Sequence, residues 1–322
     1  MSMPKTHYEV AATIKVAFGK GNQVTGYFRD PENPDPLVHP AKPYWFSRDT
    51  LPFLLNWWEL GQGEFGLLLH GPAGSGKTSL VEQTLARLAV PVQSVVCHER
   101  LDFQDLLVQP VYIDGLLVYV DAPLLAAYRH GQVLLLEEID QLNPEAAIGL
   151  HRVLDGLPLS IPQSGETVWR HPDFRLLATA NSALLGDATG LYQGAKRQNY
   201  ALATRFELLE VGYPVEVDEQ QILGLVLPQL EEGLRHAMIR VANAVRASYQ
   251  ARDSGEESGP AFEAPLSTRT LLHWGQLTWR YAGLRQAGLS PLHKAIDAAF
   301  GRLLEPTSQT ALHELVQREM GE

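Results

Sequence analysis

One stretch of the chain has residue types and spacing that prescribe chemistry: Gly71-Pro72-Ala73-Gly74-Ser75-Gly76-Lys77-Thr78. It satisfies G-x-x-x-x-G-K-[ST], the pattern of a loop that cradles phosphates. Glycines lack a Cβ and tolerate positive φ, so the backbone can wrap closely around an anion. The loop N–H groups and the N-terminus of a following helix present partial positive charge to it. Lys77 is then placed to reach the β- and γ-phosphates, and the Thr78 hydroxyl to hold Mg²⁺. The flanks supply what the motif needs. Residues 65–70 read as a short buried strand, and Leu80, Val81, Leu85 and Leu88 recur at helical spacing. The expected ligands are ATP and Mg²⁺.

A second pair of candidates is Glu137 and Glu138, two carboxylates at the end of an apolar run over 132–136. After a phosphate loop, the first acid of such a pair helps hold Mg²⁺, and the next orients or activates the attacking water. Glu137 is therefore a candidate metal ligand with Thr78, and Glu138 a candidate catalytic residue. Aspartate is usual at the first position. Glutamate is one methylene longer, which predicts altered metal geometry. The next apolar run ends in Ala178-Thr179-Ala180-Asn181. Asparagine at a strand end is usually a turn residue. Following both earlier motifs, Asn181 is assigned instead to the attacking water or the γ-phosphate.

These groups need a scaffold that brings strand ends together. Apolar strand candidates fall at 65–70, 92–96, 132–136, 174–179 and 206–211, with helical stretches between them. That alternation predicts an α/β domain with a parallel five-stranded sheet over residues 46–213. The Pro158 to Pro172 segment interrupts it and reads as a β-hairpin, with strands at 159–161 and 167–169. Residues 1–45 read as a small N-terminal β element and a linker. Strand-like sequence at 10–18 and a Gly19-Lys20-Gly21-Asn22 turn lead to a strand at 24–28, and then to a proline-rich tether at 30–36. Residues 214–322 read as a helical domain, with Pro228 separating its first two helices. The stretch 252–265 reads as a Gly/Ser/Glu/Pro-rich loop. Tyr44-Trp45-Phe46 and Trp57-Trp58 are expected mainly in the core, with the adenine pocket as the alternative.

Bulk properties exclude some classes. The 322 residues carry 26 Lys+Arg against 37 Asp+Glu, a formal net charge of −11. Nucleic acid is therefore an unexpected main partner. The single cysteine, Cys97, rules out a disulfide framework and reads as a small buried residue. The N-terminal residues lack the apolar core of a signal peptide, and no apolar run reaches bilayer length. The cytoplasm is the expected location, with no membrane insertion.

Two longer stretches narrow the reading. They are His171-Pro172-Asp173-Phe174-Arg175-Leu176-Leu177-Ala178-Thr179-Ala180-Asn181 and Gly186-Asp187-Ala188-Thr189-Gly190-Leu191-Tyr192-Gln193-Gly194. With them the chain, over roughly residues 40–285, resembles the AAA+ ATPases of the MoxR branch, most of all the small ATPase subunit of cobaltochelatases. The resemblance implies an AAA+ core followed by an α-helical lid. It implies ATP hydrolysis at the subunit interfaces of a homo-oligomeric, usually hexameric, ring. It also implies a protein partner bearing a von Willebrand A domain. Two more site residues follow from it. Arg205, in Ala203-Thr204-Arg205-Phe206, would be an arginine finger, with Thr204 where such chains carry Asp. Arg269, in Ser267-Thr268-Arg269, would be the sensor-2 residue of the lid. A guanidinium suits both roles, being permanently charged and forked onto phosphate oxygens. Inserts at 99–128 and 158–172 would face the pore or the partner. A cobaltochelatase subunit proper, a weakly hydrolysing nucleotide-binding scaffold and a DNA remodeller are the alternative readings.

Overall fold

The computed structural model describes residues 5–9, 23–27, 35–60, 63–184, 200–253, 262–287 and 290–320. The chain forms two compact units. One comprises residues 1–42, 46–72 and 77–211; the other comprises 43–45, 73–76 and 212–322.

In the first unit, β1 (Lys5–Glu9) pairs antiparallel with β2 (Gln23–Tyr27), Lys5 opposite Tyr27. The first strand of the N-terminal element thus lies earlier than the expected 10–18, a stretch outside the described residues together with the proposed turn at 19–22. β2 is anchored on α1 (Leu51–Leu60): the Trp58 indole N–H donates to the Thr25 carbonyl at 2.7 Å, and Thr25 N–H donates to Glu59 Oε2 at 2.8 Å. Phe46, Trp57 and Trp58 are buried, as expected of core aromatics.

The central elements are β3 (Gly66–His70), α2 (Lys77–Arg87), β4 (Val92–Val96), α3 (Phe103–Leu107), β5 (Val108–Ile113), β6 (Leu116–Asp121), α4 (Pro123–His130), β7 (Val133–Glu137), α5 (Pro144–Leu154), β8 (Leu159–Ile161), β9 (Glu166–Val168), β10 (Arg175–Ala180), α6 (Tyr200–Ala203) and β11 (Phe206–Glu210). Five of the strands form one parallel sheet in the order β11-β3-β10-β7-β4. Its inner strands are apolar on both faces because helices cover both. Leu67 to Leu69 and Leu134 to Leu136 are fully buried. Each such leucine contributes about 1.5–3 kcal/mol of burial. The sheet is the predicted one, with strand ends shifted by at most one residue. β5 and β6 form a hairpin inserted between two helices, and β8 and β9 a second hairpin before β10. Cys97 follows β4 and is buried. Burial, with the carboxylates of Asp140, Glu137 and Glu138, pushes its thiol up to about 12, so it offers no nucleophile.

The second unit is helical: α7 (Glu216–Val226), α8 (Glu232–Asp253), α9 (Thr268–Arg280), α10 (Pro291–Ala299) and α11 (Pro306–Met320). Pro228 falls between α7 and α8. Helix starts carry their own caps: the Ser267 side chain accepts from Thr270 N–H, and that of Ser290 from His293 N–H. The core gathers Met238, Ile239, Trp274, Ile296, Leu312 and Val316. Among the described residues, no helix is long and apolar enough to cross a membrane.

Candidate active site

Parallel strands bring their carboxyl ends to one edge of the sheet, which is where open α/β sheets bind ligands. His70 pairs with Ala180, and Val96 with Glu137. The residue runs that follow β3, β7 and β10 therefore meet there: the phosphate loop, Glu137-Glu138 and Asn181.

Lys77 opens α2 and is 8% exposed. Its ammonium donates to the carbonyls of Gly71 at 2.8 Å and Pro72 at 3.0 Å, and to Asn181 Oδ1 at 3.2 Å. Gly71 has φ +143°, and a Cβ there would collide with the Val211 carbonyl. The Thr78 side chain lies beside the Glu137 carboxylate and favours its charged form. Burial raises the Glu137 pKa, helped by Glu82 and Glu138 and opposed by Thr78 and by His39. His39 comes from the segment that follows the tether, pinned where Val92 N–H donates to the Leu37 carbonyl at 2.9 Å. Its Nδ1 lies 3.5 Å from Glu82 Oε1.

Glu138 is exposed and sits in the left-handed region, φ 55° and ψ 46°. A non-glycine residue held there stores about 1–3 kcal/mol of strain, a pattern that concentrates at functional sites. Two contacts hold it: its N–H donates to Thr179 Oγ1 at 3.3 Å, and its carbonyl accepts from Gln141 N–H at 2.8 Å.

Asp140 and Thr179 have structural roles that the motif reading did not assign. Asp140 is fully buried, and its Oδ2 accepts the Asn181 N–H at 2.9 Å. Burial raises the Asp140 pKa, opposed first by that backbone hydrogen bond. Asp140 thus fixes the backbone at Asn181. Asp140→Ala would leave a buried N–H without its acceptor. We expect a loss of about 1–3 kcal/mol of stability, read as a lower Tm, together with slower nucleotide hydrolysis. Asp140→Asn, which keeps an acceptor, should recover most of both. Asp140 stands in the run that carries Glu137 and Glu138, but its contact spans strands and leaves no sequence signal.

Arg205 is not among these groups. It precedes β11 at the opposite edge of the sheet, where Phe206 pairs with Gly66 and Glu210 pairs with His70. Five residues of strand separate it from the phosphate-loop edge, about 17 Å at ~3.3 Å per residue. Its guanidinium forks onto Asp155 at 2.7 and 3.0 Å and donates to the Ala201 carbonyl at 2.6 Å.

In the helical unit, residues 73–76 of the loop lie against the start of α9. Gly74 has φ +73°, and a Cβ there would stand 2.6 Å from Ser267 Oγ. The exposed Arg269 follows, its N–H 3.4 Å from the Gly74 carbonyl. The Gly186 to Gly194 segment lies outside the described residues.

Residues 66–206 match the AAA domain (dynein-related subfamily), and residues 219–319 match the CbbQ/NirQ/NorQ C-terminal region. The chain belongs to the MoxR-type AAA+ ATPases. It is 29% identical to the aerobic cobaltochelatase subunit CobS of a Sinorhizobium species over 244 residues, 72% of this chain and 70% of that one. It is 29% identical to the protein NorQ of Paracoccus denitrificans over 250 residues, 76% of this chain and 81% of that one. It is 29% identical to the denitrification regulatory protein NirQ of Pseudomonas aeruginosa over 222 residues, 62% of this chain and 83% of that one. The MoxR-type chain described here is therefore a nucleotide-binding ATPase.

The loop has features that fit phosphate. Ser75 is buried, and its hydroxyl has no hydrogen-bond partner among the described residues. The Lys77 ammonium is held toward the loop by the Gly71 and Pro72 carbonyls and by Asn181 Oδ1.

Proposed function

We propose that this MoxR-type ATPase works as a homo-oligomeric, sixfold ring motor in the cytoplasm, hydrolysing ATP to remodel a protein partner.

 Each subunit would supply the phosphate loop, Glu137, Glu138 and Asn181 to one site, and Arg205 to the site of its neighbour. The observation that carries this reading is the position of Arg205. It lies at the sheet edge opposite Lys77, so a second copy is needed to bring a finger to the phosphates. The Thr78 hydroxyl and the Glu137 carboxylate are the oxygens that would hold Mg²⁺, which supplies charge neutralisation on the phosphates when bound. Glu138 is held exposed at a strained position, where it would take a proton from the attacking water. Asn181 would orient that water or the γ-phosphate, and Arg269 would act from the lid.

The β5–β6 hairpin supports a protein partner. Tyr112, Ile113, Leu116, Leu117 and Tyr119 are all exposed on it, an apolar ribbon of the kind that meets other chains. We assign it to the pore or to a partner carrying a von Willebrand A domain. The narrower alternative, the ATPase subunit of a cobaltochelatase, draws support from the likeness to CobS. The match of residues 219–319 to the CbbQ/NirQ/NorQ C-terminal region gives other clients equal standing. The placement of Glu138 speaks against a weakly hydrolysing scaffold, and the net charge of −11 against a DNA remodeller.

Sedimentation with and without ATP and Mg²⁺ tests the ring. We expect ATP to drive micromolar protein from small species to one closed oligomer. A chain that stays monomeric with ATP bound would overturn the ring reading.

A further inference from the structure

The helical unit contains a buried ion pair that the site chemistry does not use. Glu219 on α7 is fully buried, and Arg246 on α8 is 6% exposed. The Arg246 guanidinium forks onto the Glu219 carboxylate at 2.8 and 2.9 Å. Its Nε donates to the Leu266 carbonyl at 2.8 Å, and Thr268 Oγ1 donates to Glu219 Oε1 at 2.7 Å. The pair therefore grips both sides of Ser267, at the start of α9. The other face of the guanidinium covers the Tyr213 ring, with Cζ 4.4 Å from the centroid.

Both groups fixed this way touch the phosphate loop. The Tyr213 hydroxyl donates to the Ala73 carbonyl at 3.1 Å. The Arg269 N–H approaches the Gly74 carbonyl at 3.4 Å, beside Ser267. A trans peptide is planar, so the carbonyl of one residue and the N–H of the next point in opposite directions. Holding the Ala73 carbonyl toward Tyr213 turns the Gly74 N–H away from it. Holding the Gly74 carbonyl toward α9 does the same for the Ser75 N–H. These N–H groups are the donors with which such a loop meets phosphate.

We propose that Tyr213 is a positioning residue for nucleotide binding, aiming the Gly74 N–H through the Ala73 carbonyl, with the Glu219–Arg246 pair holding its ring and the start of α9. This deepens the ATPase reading and rests on the assignment of residues 71–78 to phosphate. Arg246 has a structural duty as well, because removing one partner of a buried pair leaves an uncompensated charge. Tyr213→Phe is the cleaner probe, since it removes the hydroxyl and keeps the ring on Arg246.

The experiment measures Tm, the dissociation constants of ATP and ADP by calorimetry, and KM and kcat. Loss of one hydrogen bond that orients a donor should weaken ATP and ADP by about three- to tenfold and raise KM to match. The change in kcat should be smaller, and Tm should stay within a few degrees. Unchanged nucleotide affinity in Tyr213→Phe would overturn the proposal, as would a fall in Tm with no change in affinity. Lys77→Ala separates this from the parent reading. If Lys77→Ala abolishes nucleotide binding and Tyr213→Phe leaves it intact, only the positioning role fails. If Lys77→Ala binds nucleotide normally, the site assignment itself fails.

Discussion

Glu138→Gln should reduce ATP turnover by roughly 10²–10⁴-fold, the contribution of a positioned general base, while ATP still binds. The substitution is nearly isosteric and removes only the ability to accept a proton as a carboxylate. The backbone consequences are small. Glutamine meets the same left-handed constraint at φ 55°, and the two hydrogen bonds that hold residue 138 are made by its main chain. Binding rests on other groups, the loop N–H donors and Lys77. Steady-state ATPase assays paired with calorimetric ATP binding check the expectation. Turnover equal to the wild type would remove Glu138 from the reaction and shift attention to Glu137, whose pKa burial raises. A variant that also fails to bind ATP would mean that the loop and this strand end are mechanically coupled. Under the proposed remodelling function, Glu138→Gln would stay in the ATP state, which makes it the variant of choice for capturing a protein partner.

Arg205→Ala should leave ATP binding in place and lower hydrolysis by about 10³-fold or more, as removal of an arginine finger does elsewhere. Within the chain, Arg205 has a different partner, the Asp155 carboxylate at 2.7 and 3.0 Å. The hydrogen bond from Arg205 lowers the pKa of Asp155. The Arg205 side chain is 29% exposed and that of Asp155 is 40% exposed. An exposed pair of this kind is worth about 0–1 kcal/mol, so Arg205 can leave Asp155 for a neighbour's phosphate at little cost. Subunit mixing tests the geometry directly. Lys77→Ala lacks a working loop but keeps Arg205; Arg205→Ala keeps the loop but lacks the finger. Mixed oligomers contain interfaces with both groups intact, so two inactive proteins should recover activity together. If mixing is verified and activity stays absent, the in-trans assignment of Arg205 fails.

The sheet was legible because its strands are continuous apolar runs, as parallel strands covered on both faces must be. Residues 67–69 and 134–136 could belong only to a buried layer. The phosphate loop was legible because its constraints are local, with glycines where φ turns positive. The N-terminal element was less so. The expected first strand, 10–18, lies outside the described residues, and 5–9, with which β2 pairs, was not among the expected strands. β2 is in turn tied to Trp58 and Glu59, contacts that no local pattern encodes. Asp140 was hidden for the same reason, since its partner Asn181 is on another strand.

Sequence by itself determined the chemistry on offer: a phosphate cradle, two adjacent carboxylates and an asparagine, to which the resemblance to MoxR-type ATPases added Arg205 and Arg269. It could do so because each motif is a short run whose residue types are dictated by what they must touch. Tertiary structure decided which groups meet. Parallel pairing gathers Lys77, Glu137, Glu138 and Asn181 at one sheet edge and leaves Arg205 at the other, paired with Asp155. It also seats Tyr213 on the Ala73 carbonyl and folds Arg246 onto Glu219. Those contacts join residues far apart along the chain, and only packing of the whole fold sets them.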